Sequence, residues 1–142
     1  MPTPARPITV LFACVHNAGR SQMAAALFNE AVDPSRARAV SAGTRPGPAV
    51  HPEVVEVMRE IGVELAGVAP RLLTAELAAQ ATVLVTMGCG DECPVVPGVR
   101  REDWPLDDPA GKPMEEVRRI RDEIWRRVDA LARRSGWAGP GA

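Results

Sequence analysis

The chain has 142 residues, 46% of them hydrophobic, which is the length of one domain with enough apolar side chain for a single packed core. A formal net charge of −1 excludes the strongly basic face that tracks a nucleic-acid backbone, and no apolar run approaches the roughly 20 residues that cross a bilayer. The start, Met1 to Pro7, lacks the cationic-then-apolar pattern of a signal peptide, so the expectation is a cytoplasmic protein without nucleic-acid or membrane partners.

Ile8 to Cys14 is a nearly unbroken apolar run, as a strand buried on both faces of a parallel sheet requires. Met23, Leu27, Phe28 and Ala31 then recur at three- and four-residue intervals, which predicts a helix from about Arg20 to Ala31 that ends before Pro34. Ala37 to Ala42 reads as a second strand closed by Gly43, followed by a Pro/Gly-rich loop from Thr44 to Pro48. The next helix starts around Pro52, with Val54, Val55, Met58 and Ile61 on one face and Gly62 placed to end it. Thr74 is suited to cap a short helix through Leu77 and Ala78, and Thr82 to Met87 reads as another buried strand. Pro113 opens the last helix, where Met114, Val117, Ile120, Ile124, Val128 and Leu131 keep one apolar stripe until Gly136. This alternation of strand and helix predicts a three-layer α/β/α fold with a mostly parallel sheet and right-handed crossovers. No linker divides the chain, so one domain is expected over residues 1–142, with loose ends at about 1–6 and 136–142.

Chemistry concentrates where the first strand gives way to the first helix, in Cys14, Val15, His16, Asn17, Ala18, Gly19, Arg20 and Ser21. Ligands of open α/β sheets bind beyond the carboxyl ends of strands, and a helix amino terminus offers unpaired N–H groups and partial positive charge. A loop curled between Cys14 and Arg20 can turn successive N–H groups inward as a nest for a tetrahedral oxyanion, with Gly19 removing a side chain at its tightest point. Arg20 can fork two N–H bonds onto two anion oxygens. The same field favours the thiolate, and the Ser21 hydroxyl is placed to bond it, so Cys14 is expected to be a nucleophile at neutral pH. The opposing reading makes Cys14 a small buried strand residue and Arg20 a solvated charge. Asn17 either binds the anion or supplies a left-handed turn, and His16 either assists proton transfer or faces solvent at the rim.

Bond cleavage at the central atom of the anion leaves an oxygen to be protonated, and Asp108, in the turn-prone Leu106-Asp107-Asp108-Pro109, is the candidate acid. Spacing alone favours an ordinary Asp-Pro turn ahead of the Pro113 helix, and Asp107 is an alternative for the acid role. Cys89 and Cys93 follow the strand that ends at Met87, which also places them at the carboxyl end of the sheet. Three cysteines in a reducing compartment fit reactive thiols or metal ligands better than structural bridges. Reduction of a pentavalent oxyanion takes two electrons, which two thiols supply by forming a disulfide. A Cys14–Cys89 bond would form in the pocket, and attack by Cys93 would move it outward to Cys89–Cys93, within reach of a reductant. The opposing readings are incidental cysteines in a flexible loop, and a zinc site built from Cys14, His16, Cys89 and Cys93, for which the two-residue gap from Cys14 to His16 is awkward.

With these residues assembled, the chain resembles the thioredoxin-coupled arsenate reductases that share the low-molecular-weight tyrosine phosphatase fold. The resemblance covers nearly the whole chain: Cys14-x5-Arg20-Ser21-Gln22-Met23-Ala24, then Ser41-Ala42-Gly43, the Cys89/Cys93 pair, and Asp108-Pro109. It implies a four-stranded parallel sheet flanked by helices, Cys14 attacking arsenate held by residues 15 to 20, Asp108 as general acid, and release of arsenite. It also implies thioredoxin, or a low-molecular-weight thiol, as the donor that reduces Cys89–Cys93. Cys89 and Cys93 stand four apart where better-known members have seven, which shortens the moving loop. Some members bind potassium with Asn17, Ser41 and a glutamate on the first helix; Ala25 occupies that helix position here, so neither metal nor cofactor is expected. A monomer is expected. The nearest rival is a tyrosine phosphatase, since loop, arginine and acid serve phosphoryl transfer equally well; against it, the chain has little aromatic surface to clamp a phenyl ring and phosphatase chemistry leaves Cys89 and Cys93 without a task. A thiol module that binds trivalent arsenic or zinc without turnover is the non-enzymatic alternative.

Overall fold

A computed structural model describes residues 7–89, 93 and 95–139 of the chain. Four strands form one parallel sheet in the order β2-β1-β3-β4: β1 is Ile8–Cys14, β2 Ala37–Gly43, β3 Val83–Thr86 and β4 Arg100–Asp103. The helices are α1 (Arg20–Ala31), α2 (Pro52–Arg59), α3 (Ala75–Ala79) and α4 (Met114–Arg134). The apolar run that predicted β1 is explained by its place at the centre, paired with β2 from Ile8↔Ala37 to Cys14↔Gly43 and with β3 from Val10↔Val83 to Ala13↔Thr86. A strand with neighbours on both edges and helices on both faces has no side left for polar groups.

The alternation of β1 divides the interior into two layers. Val10, Phe12 and Cys14 face the larger one, filled by α1, α2 and α4 through Met23, Leu27, Phe28, Val54, Met58, Ile124 and Leu131. Leu11 and Ala13 face the smaller one, where Ala42, Ala78 of α3, Ala81, Leu84, Cys89 and Cys93 gather. The larger layer contains an aromatic row: Trp104 lies 5.6 Å from Phe12, Phe12 5.8 Å from Phe28, and Phe28 6.1 Å from Trp137. The edge-on contacts of Phe28 with Phe12 and Trp137 are each worth about 0.5–1.5 kcal/mol beyond the area they bury.

Three expectations need correction. Hydrophobic patterning finds three strands and misses β4, whose four residues Arg-Arg-Glu-Asp carry only charge. Its strand state comes from pairing with β3 and from cross-strand polar contacts such as the Thr86 hydroxyl donating to Asp103; a charged edge also resists pairing with another chain. Helix α2 stops at Arg59, so Ile61 is 46% exposed, and Val57 takes a fully buried place instead. The chain after Gly136 is not loose as far as it is described. Trp137 is buried against Phe28, its carbonyl accepts from Asp33 N at 2.8 Å, and Gly139 N donates to Ala31 O at 2.9 Å, so residues 137–139 clasp the end of α1. Residues 1–6 and 140–142 lie outside the described residues.

Candidate active site

β1 delivers Cys14 to the carboxyl edge of the sheet, and five residues later α1 begins at Arg20. The backbone between them is turned inside out relative to a strand. The carbonyls of Cys14, Val15, His16 and Ala18 accept from Thr44, Arg45, Gly47 and His51 at 2.8–3.2 Å, and that of Asn17 accepts from Gln22 Nε2 at 3.1 Å. Every carbonyl from 14 to 18 therefore points outward into a flanking segment, while among the described residues the N–H groups of His16 to Gly19 donate to no protein acceptor. Such N–H groups, converging at a helix amino terminus, are a site for negative charge. The N-cap is Gly19, which has no side chain to occupy them.

The end of β2 and the segment that follows it hold this curl in place. A Cβ on Gly43 would lie 2.6 Å from Val15 O and 2.8 Å from Asn17 N, so only glycine lets β2 run this close beneath the loop. Asn17 is the one non-glycine residue at positive φ, +51°, among the described residues, which answers the question of its left-handed turn. Its side chain is buried and spent on protein: Oδ1 accepts from Arg71 N at 2.9 Å and Gln22 Nε2 at 3.1 Å, which obliges Nδ2 to donate to Ser21 Oγ at 2.8 Å. Ser21 Oγ lies 2.8 Å from Cys14 Sγ. With its oxygen accepting from Asn17, the hydroxyl keeps its hydrogen for the sulfur, so the Asn17 amide orients Ser21 as a donor to Cys14. The Ser21 hydroxyl beside Cys14 was expected from the sequence, but the Asn17 amide that orients it was not, because that amide's anchor at Arg71 is 54 residues from Asn17.

The guanidinium of Arg20 is buried, donates from Nη1 to Leu106 O at 3.0 Å and places Nη2 3.9 Å from the Asp108 carboxylate. Asp108 keeps 47% of its side chain exposed and accepts from Ala110 N at 3.0 Å. Pro109 is what presses this turn onto the loop: a Cβ on Gly19 would lie 2.8 Å from Pro109 Cγ. Asp107 instead lines an adjoining cleft with Pro105, Glu116 and Arg119, so of the two acids the structure brings Asp108 to Arg20. His16 faces solvent at the rim.

Cys89 and Cys93 are joined in a disulfide with a Cα–Cα separation of 5.6 Å, and Cys14 is a free, buried thiol. The expectation that this bond stands outward is wrong for this state. Cys89 and Cys93 are only 4% and 2% exposed, inside the smaller apolar layer, with Cys89 Sγ 3.9 Å from Ala13 O. The pair thus sits across β1 from Cys14, behind the residue that precedes it. Burial follows from sulfur's affinity for an apolar layer that Leu11, Ala13, Ala42 and Leu84 leave unfilled. Residues 90–92 and 94, which complete this segment, lie outside the described residues. Among the described residues no three or more His, Cys, Asp or Glu side chains are grouped to hold a metal ion, and the zinc arrangement does not occur, because Cys89 and Cys93 bond each other.

Residues 9–136 match the sequence model of the low molecular weight phosphotyrosine protein phosphatases. The chain belongs to that family. A Halobacterium salinarum member, provisionally named an arsenate reductase, is 43% identical over 82% of this chain and 85% of its own. The thioredoxin-dependent arsenate reductase of Corynebacterium glutamicum superposes with a TM-score of 0.78 at 36% identity over 93% of this chain, which spans 63% of that longer protein. An arginine phosphatase of Geobacillus stearothermophilus superposes with a TM-score of 0.76 at 30% identity, covering 92% of this chain and 94% of its own. The four-stranded parallel sheet and its helices are those of the family. Fold and family alone therefore admit both a reductase and a hydrolase, and the cysteines must separate them.

Proposed function

We propose that this family member is an arsenate reductase in which Cys14, Cys89 and Cys93 act in relay. The observation that carries the reading is a free Cys14 in an N–H cradle with a Cys89–Cys93 disulfide immediately behind it across β1, which is the sulfur arrangement left when a three-thiol relay has finished. Arsenate binds the N–H groups of the loop from Val15 to Arg20, with the Arg20 guanidinium on its oxygens. The Cys14 thiolate, with the Ser21 hydroxyl directed at it, attacks arsenic while Asp108 protonates the departing oxygen, which leaves as water. Cys89 as thiolate then attacks Cys14 Sγ. The S–As electron pair passes to arsenic, arsenite leaves, and a Cys14–Cys89 disulfide remains. Attack of the Cys93 thiolate on Cys89 Sγ expels the Cys14 thiolate and gives Cys89–Cys93. Two thiols of a thioredoxin-like donor, or of a low-molecular-weight thiol, then reduce that bond.

The reading includes a single-domain monomer acting in the cytoplasm on arsenate or a phosphate-like oxyanion. Among the described residues no helix is long and apolar enough to cross a membrane. Arsenite production with thioredoxin, thioredoxin reductase and NADPH, set against hydrolysis of an aryl phosphate, tests the assignment. Reductase activity is expected to vanish in Cys89→Ser; robust hydrolysis that survives Cys89→Ser, with no arsenite from the unsubstituted chain, assigns the protein to the phosphatases.

A further inference from the structure

Gly88 connects the end of β3 to Cys89, and nothing in the relay or the cradle as described gives it a task. Its backbone is held on one side by Met87, whose N–H donates to Ala13 O at 2.7 Å, and on the other by Cys89, whose sulfur lies near the same carbonyl. Between these anchors Gly88 adopts φ +101°, open in practice only to glycine. The space beside its Cα is filled by Arg20. A Cβ built there would collide with Nη1 and approach Cζ at 3.1 Å and Nη2 at 3.4 Å, so the Nη1 corner of the guanidinium occupies the space that a side chain at this position would need. The same Nη1 donates to Leu106 O at 3.0 Å, and Nη2 lies 3.9 Å from the Asp108 carboxylate.

We propose that Gly88 is a positioning residue for the oxyanion: its missing side chain forms the wall against which the Arg20 guanidinium is set. The proposal rests on reading the cradle as an oxyanion site and adds what fixes its arginine. A guanidinium forks onto two oxygens only when its plane is aimed, so displacing it costs directional hydrogen bonds rather than charge. The collision falls on the far end of a flexible side chain, which yields by moving Arg20 rather than by moving β3. Because Cys89 is the next residue, any swing of Cys89 toward Cys14 also moves this wall, tying the seat of the arginine to the state of the relay.

The test uses protein oxidised at Cys89–Cys93, in which Cys14 is the one free thiol, and measures how inorganic phosphate slows alkylation of Cys14 by iodoacetamide. Phosphate protects the unsubstituted protein. In Gly88→Ala the protecting midpoint rises about tenfold or more, the loss that a misaimed charge-assisted hydrogen bond brings. Arg20→Ala raises it as well, and Gly88→Ala adds nothing to Arg20→Ala, since the group it would displace is gone. A midpoint in Gly88→Ala within about twofold of the unsubstituted protein, or effects of the two substitutions that multiply, overturns the proposal. Should Gly88→Ala alone fail to fold by circular dichroism, the proposal requires that Gly88→Ala/Arg20→Ala fold; a double variant that also fails assigns the cost to backbone strain and overturns it. Absence of phosphate protection in the unsubstituted protein sinks the oxyanion reading itself, a result distinct from each of these.

Discussion

All three sulfurs are buried, but the two sides of β1 bury them by different means. Cys14 is surrounded by polar groups with assigned directions: a hydroxyl aimed at its sulfur, an amide that orients the hydroxyl, and a guanidinium and carboxylate beyond. Cys89 and Cys93 are surrounded by Leu11, Ala13, Ala42, Ala78 and Leu84, which hold sulfur by exclusion of water and specify no orientation. Directed contacts fix one geometry and suit a nucleophile, whereas undirected contacts stabilise whatever fits and release it at modest cost. The difference teaches that the stationary and the travelling sulfurs of a relay call for different surroundings, although their exposure is the same.

The largest effect should come from breaking the division of labour outright. Cys14→Ser abolishes arsenate reduction, while Cys93→Ser completes at most one turnover and accumulates Cys14 bonded to Cys89, read by peptide mapping after arsenate treatment. Multiple turnover by Cys93→Ser with thioredoxin would refute the order proposed above. Next in size, Asp108→Asn slows the arsenate step by about 10²–10⁴-fold in single-turnover measurements if the carboxyl is the sole acid; an unchanged rate returns that role to Asp107 or water. Smallest on the chemistry, and confined to the apolar side, Leu84→Ala costs about 2–5 kcal/mol of stability in denaturant unfolding. It should also speed reduction of the oxidised protein by dithiothreitol, by about tenfold if opening of this layer limits access. Phosphate protection of Cys14 should be unaffected by it. Loss of that protection together with faster reduction would mean that the two sides of β1 are not independent.

Much of the fold was legible because its central unit is contiguous: an apolar strand, a glycine-bearing loop and a helix with three- and four-residue spacing occupy residues 8 to 31 without interruption. Thr74 was equally plain, and its side chain does accept from Leu77 N at 3.0 Å. The missed features depend on distant partners. β4 has no apolar residue to betray it and becomes a strand only beside β3. Trp137 follows a helix-ending glycine, so local grammar reads it as a tail, while Phe28 more than 100 residues earlier supplies the contact that pins it. At the site, Cys14 and Arg20 were nameable from their residue types and places, whereas Asp108 stood out from Asp107 and an ordinary turn only through the family resemblance; the structure sets its carboxylate 3.9 Å from Arg20. The inward burial of Cys89 and Cys93 was not nameable, because two glycines flanking Cys89 suggest motion rather than a vacancy in an apolar layer that accepts sulfur. Gly88 likewise reads as a loop residue until Arg20 is seen lying against it.

The burial of every cysteine also governs how the protein behaves while idle. With Cys14 at 2%, Cys89 at 4% and Cys93 at 2% exposure, an oxidised molecule keeps its sulfurs beneath the surface, so exchange with any other protein, the electron donor included, waits for the apolar layer to open. Spent copies can accumulate during an arsenate surge without cross-linking to one another, and they return to service when reducing power recovers.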